Sequence, residues 1–97
     1  MKLKIALCFL LLSAPPVFAQ ATDMPLLIGG CQGCHGVSGQ GGQGIPSIKV
    51  NHSRDEFIAL MRSFSANERP ATIMGRISRG YSPEQIALLA AHYARPQ

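Results

Sequence analysis

Tryptophan is absent and charge is scarce: Asp, Glu, Lys and Arg make up 14% of the 97 residues, against 46% hydrophobic. So little charge with so much apolar content excludes a disordered, solvated chain. Basic residues outnumber acidic ones by nine to five. They are scattered and form no stripe able to follow a phosphate backbone, which excludes nucleic acid as a partner. A chain of this length holds one domain at most, and small domains bury too little surface to build a deep all-protein cleft. Cysteine is rare as well. Of three, Cys8 falls in an apolar leader, while Cys31 and Cys34 lie so close that a disulfide between them would restrain almost nothing. A protein this small needs a staple, and here it must be something other than a disulfide.

The leader itself is short. Met1-Lys2-Leu3-Lys4 is a basic start, residues 5–12 are an apolar run, Ser13-Ala14-Pro15-Pro16 breaks it, and Val17-Phe18-Ala19 suits a signal peptidase. The pattern predicts a secretory signal peptide over residues 1–19, cut after Ala19. A membrane anchor is the rival, but the run falls well below the ~20 apolar residues that a spanning helix needs. The mature chain is therefore expected to cover residues 20–97, outside the cytoplasm and without stable insertion in a membrane. Cys8 leaves with the leader.

Residues 20–97 read as all-α, three or four short helices and one long loop. Thr22 or Asp23 can cap a first helix with Pro25 in its first turn, ending near Cys34-His35-Gly36. Residues 36–44 are too rich in glycine for regular structure. Gly39-Gln40-Gly41-Gly42-Gln43-Gly44 matches the dinucleotide glycine pattern in form, but no strand precedes it and Ile45-Pro46 follows it, so it fails its context. Ser53 and Glu56 form a capping box, followed by Phe57, Leu60, Met61 and Phe64 at helical spacing. A short helix is predicted over 72–79, ended by Gly80. Ser82, Pro83 and Gln85 start a last helix, whose inward stripe is Ile86, Leu89, Ala90 and Tyr93.

Cys31-Gln32-Gly33-Cys34-His35 carries the chemistry. This is the C-x-x-C-H spacing of covalent c-type haem attachment. Residues three apart on a helical turn share a face, so two thiols can reach the two vinyl groups of one porphyrin. His35 then projects toward the iron as an axial ligand. A thioredoxin-like redox pair would need a βαβ context, a zinc site a second Cys/His pair, and a plain disulfide leaves His35 unexplained. One covalent haem also answers the need for a staple, since its faces supply the missing core. For the sixth ligand the choices are Met24, Met61, Met74, His52 and His92. Met24 sits in the first helix, and Met61 belongs to an apolar stripe, where methionine is usually filler. Met74 follows the Pro70 break, has small Gly75 beside it, and is the expected ligand. A metal-bound histidine generally donates its other ring N–H to an oxygen. The Pro46 carbonyl is the candidate acceptor for His35, with Ile45 and Ile48 walling the ring.

Taken together, the attachment motif, a Gly-rich loop running into Ile-Pro, a methionine in the second half and a final helix resemble class I cytochrome c. More narrowly, Ile45-Pro46-Ser47-Ile48, the run Arg69-Pro70-Ala71-Thr72-Ile73-Met74-Gly75-Arg76-Ile77, and Gly80-Tyr81-Ser82-Pro83-Glu84-Gln85-Ile86-Ala87 are similar to the haem subunit of flavocytochrome c sulfide dehydrogenase. That resemblance implies a periplasmic one-electron carrier. It is a haem subunit rather than the catalytic one, docking on an FAD flavoprotein that oxidises sulfide. A free, soluble electron shuttle serving an oxidase or another dehydrogenase is the alternative. It further implies that the first and last helices cross near the haem with a glycine against an aromatic, Gly29 or Gly30 against Tyr93. Arg69, Arg76 and Arg79 bracket Met74, either as a positive rim for an acidic partner or as a solvated face.

Overall fold

The computed structural model describes residues 23–97; the leader expected over residues 1–19 lies outside them. Four helices follow in order: α1 Met24–His35, α2 Arg54–Ser65, α3 Met74–Ser78 and α4 Pro83–Tyr93. Among the described residues there is no strand, only an isolated bridge between Gly42 and Ile45. No described helix is long and apolar enough to cross a membrane.

The caps explain where the helices begin. Ser53 accepts from the Glu56 N–H at 3.2 Å, and the Glu56 carboxylate takes the Ser53 N–H at 2.7 Å. Ser82 and Gln85 repeat the device at α4, at 3.2 and 2.9 Å. Each box satisfies two backbone donors that a helix start would otherwise leave free. At α1 the expected cap is absent: the Asp23 side chain makes no cap bond. Its backbone carbonyl instead accepts from Leu26 and Leu27, both at 3.1 Å, which with Pro25 in the first turn is enough to start the helix. The third helix is shorter than the span 72–79, because its turns begin only at Met74 and close on Ser78.

Packing runs α1 on α4, α4 on α2 and α2 on α3. Ile86, Leu89, Ala90 and Tyr93 are all buried, so the whole α4 stripe faces inward between Leu27 and Cys31 of α1 and Phe57 and Met61 of α2. Burying a leucine such as Leu89 contributes about 1.5–3 kcal/mol. Tyr93 stacks on Phe57, ring centroids 6.1 Å apart. Since α1 and α3 stand at opposite ends of this series of contacts, a cleft stays open between them.

The loop of residues 36–52 lines the cleft through residues 44–48 and His52 and is fastened at both ends. The Gly39 carbonyl accepts from Ile48 and Lys49 N–H at 2.8 and 3.2 Å and from the Ser47 hydroxyl at 3.2 Å. Gly41 N–H bonds the His35 carbonyl. Gly41 has φ +73°, and a Cβ there would meet the Ile45 carbonyl oxygen at 2.5 Å, so only glycine fits. Val50 holds a left-handed φ of 51°, costly for a β-branched residue. Its N–H bonds the Tyr93 carbonyl at 2.7 Å, and Arg95 N–H bonds the His52 carbonyl at 2.9 Å. The loop is thereby locked onto the end of α4.

Candidate functional site

The cleft has a volume of about 410 Å³, within the range of cofactor sites. Every helix but α4 supplies part of its lining. Cys31, Cys34 and His35 come from the last turns of α1, and Ile45, Pro46 and Ile48 from the loop. Phe57, Leu60, Met61 and Phe64 come from α2, and Met74 and Ile77 from α3. The α2 stripe divides along its length: Phe57 and Met61 are buried, while Leu60 and Phe64 are half-buried because the cleft lies in front of them.

His35 is the last residue of α1 and is 7% exposed. Its Nδ1 lies 2.7 Å from the Pro46 carbonyl oxygen. A carbonyl only accepts, so Nδ1 carries the proton and donates it. In the neutral ring Nε2 then holds the lone pair a metal requires. Met74 is the first residue of α3 and is half-buried. Gly75, next to it, packs on α2. A Cβ there would meet the Phe64 carbonyl of α2 at 3.3 Å, so its small size lets α3 settle on α2.

The two cysteines have different surroundings. No disulfide joins them, and Cys34 is exposed while Cys31 is buried. Burial pushes the Cys31 thiol up from its ordinary range, against a smaller lowering from the Tyr93 and Tyr81 hydroxyls beside it. The two tyrosines are raised in turn, by burial first and then by Cys31, Tyr93 to about 12.

The expected pairing of glycine with aromatic is corrected here. A Cβ on Gly30 would collide with the Tyr81 hydroxyl, and Gly29 faces open space. Tyr93 instead covers Gly39 of the loop, whose Cβ would stand 2.8 Å from its ring. The Tyr81 hydroxyl donates to the Leu27 carbonyl of α1 at 3.0 Å, which draws Tyr81 to α1 and leaves Tyr93 for the loop. Tyr81 was not singled out from the sequence, though a signal existed. It precedes the Ser82 cap with Ile86 at the fourth helical position, the spacing of a hydrophobic staple that turns the preceding residue inward.

His52 is half-buried and lines the cleft. His92 is exposed and meets the Tyr93 ring edge-on at 4.7 Å. Arg69 lines the cleft with its guanidinium 5.7 Å from the Phe64 ring centre. Arg76 and Arg79 are exposed. Among the described residues the one salt bridge is Arg95 to Glu56 at 3.3 Å, on the surface, and such pairs add little.

The family model for cytochrome c matches residues 27–93. The chain belongs to the cytochrome c family, whose members carry covalent haem c and transfer electrons. No curated protein matches it. The residues present fit that group. An apolar cleft, two thiols three apart, a histidine with a free Nε2 and a methionine sulfur meet in one place. Among the described residues no group of three or more His, Cys, Asp or Glu side chains gathers to hold a metal ion.

Proposed function

We propose that the chain is an exported, periplasmic mono-haem electron carrier. In this reading Cys31 and Cys34 form the two thioethers, His35 and Met74 are the axial ligands, and Pro46 fixes His35. The observation that carries it is the 2.7 Å bond from His35 Nδ1 to the Pro46 carbonyl. It commits the ring to the tautomer that ligates through Nε2, inside a cleft that Met74 and both cysteines also line. Haem, when bound, supplies an iron that passes between ferrous and ferric states.

The protein's own residues tune that exchange. Pro46 holds the imidazole in one orientation in both states, so little rearranges on reduction. The Met74 thioether and the apolar wall of Leu60, Met61, Phe64 and Ile77 favour the reduced metal. With His35 and Met74 both engaged in holding the haem, an external substrate would have no open position, which fits transfer rather than catalysis. Ile45 and Ile73 are exposed large apolar residues of the cleft lining, and Cys34, which also lines it, is exposed. The mouth of the cleft is thus an apolar surface for a redox partner.

As partner we propose an FAD-containing sulfide dehydrogenase subunit. The similarity of residues 45–48, 69–77 and 80–87 to the haem subunit of that complex supports it. Purification at native abundance tests it. A co-purifying flavoprotein that reduces the cytochrome when sulfide is added is the expected result; rapid exchange with several unrelated proteins and no flavin would favour the free shuttle. For the site, Met74→Ala is expected to lower the reduction potential and let the ferrous protein bind carbon monoxide. An unchanged potential and spectrum would remove Met74 from the iron.

A further inference from the structure

Tyr93 is 1% exposed, and its hydroxyl is the one buried side-chain polar atom among the described residues with no hydrogen-bond partner. Buried hydroxyls are nearly always paired, so an unpaired one asks for an explanation. Its polar neighbour is the sulfur of Cys31, which the Tyr81 hydroxyl also approaches. The two phenols differ in one respect. The Tyr81 proton is committed to the Leu27 carbonyl at 3.0 Å; the Tyr93 proton is committed to nothing. Gly39 lets the Tyr93 ring lie flush against the loop, and stacking on Phe57 holds its plane. The hydroxyl therefore cannot turn away to find water.

A thiol has an S–H of its own to place, whereas a thioether sulfur only accepts. Adding the Cys31 S–H across a vinyl double bond forms an S–C bond and passes the hydrogen to the neighbouring carbon, with no oxidant or reductant needed. The sulfur then has lone pairs and no proton to offer. We infer that Tyr93 is a positioning residue whose hydroxyl donates a hydrogen bond to the Cys31 thioether sulfur. The inference rests on the reading of Cys31 as a thioether cysteine. Donation from Tyr93 draws electron density from the sulfur and, through it, from the ring, which favours the reduced metal. Burial holds the phenol above its ordinary range, so the donor proton is present at neutral pH. Cys34 is exposed and has no such phenol; the two thioethers are unequal.

Tyr93→Phe in the holoprotein removes the hydroxyl and keeps the ring. The expected result is a lower reduction potential together with a shifted C–S stretching band for Cys31 in resonance Raman spectra, that band being assigned with a Cys31→Ser holoprotein. Tyr81→Phe should lower the melting temperature through the lost Leu27 bond and leave the band in place. A potential and a band both unmoved in Tyr93→Phe would overturn the inference. Should Tyr93→Phe fail to accumulate, the unsubstituted ferrous protein decides. The Tyr93 hydroxyl proton should exchange slowly and show a nuclear Overhauser contact to the Cys31 β-protons, and absence of both overturns the donor. Iodoacetamide labelling of Cys31 in the denatured holoprotein would instead sink the thioether reading itself, and the donor with it.

Discussion

The two walls that present His35 and Met74 are built differently. Behind His35, residues 36–50 are laced by backbone bonds: Gly39 N–H to Gly36, Gly41 N–H to His35, Ile48 and Lys49 N–H to Gly39, and Val50 N–H to Tyr93. Before Met74, no N–H from Arg69 to Ile73 donates to a backbone carbonyl among the described residues, and all five residues are exposed. The contrast shows where precision is needed. A histidine ring must have one tautomer and one plane, and a dense lattice fixes both. A thioether on a flexible, unbranched side chain reaches its place with little help, so its segment can be loosely held. Local opening should begin on the methionine side.

The largest expected effect would erase the contrast altogether. Cys31→Ser with Cys34→Ser should leave a product that is colourless on denaturing gels and, by far-UV circular dichroism, mostly unfolded, because so small a core does not stand without its staple. A helical, folded double variant would show that the protein matrix alone holds both walls.

A matched pair of substitutions probes the walls separately. Gly41→Ala forces a Cβ onto the Ile45 carbonyl at a positive φ and should cost about 1–3 kcal/mol, read as a lower denaturation midpoint. Ala71→Gly, in the exposed segment before Met74, should change stability by less than about 0.5 kcal/mol. Equal losses from the two would break the comparison.

Alkali acts more gradually and on the histidine side. Burial raises Tyr93 above the phenol value of 10.0, and Tyr81 moves the same way. The folded state thus keeps protons that the unfolded chain gives up near pH 10. The stability these phenols carry is complete below that pH and is lost as pH climbs through the raised values. Helicity followed by circular dichroism against pH should fall across that window, and Tyr93→Phe should lessen the fall.

Much of this architecture is legible in the order of residues, because the signals are short-range. The boxes Ser53–Glu56 and Ser82–Gln85 lie three residues apart and close within their own turns. The stripe of Ile86, Leu89, Ala90 and Tyr93 follows the helical repeat, and all four are buried. Cys31, Cys34, His35 and Met74 are equally readable as chemical types, and the fold brings all four to one cleft. What stayed hidden concerns partners far apart in the chain. Nothing within the turn around Gly30 says that Tyr81 rather than Tyr93 will cover it. That choice follows from a bond between the Tyr81 hydroxyl and the Leu27 carbonyl, 54 positions away. Likewise the close fit of Gly75 against the Phe64 carbonyl of α2 is not written in its neighbours, and Asp23 begins a helix with its carbonyl and not its side chain. Helix boundaries and ligand types are matters of local geometry and valence, which neighbouring residues specify. Which surfaces meet depends on the angles at which four helices dock around the cleft, and those angles exist only once the chain has closed on itself.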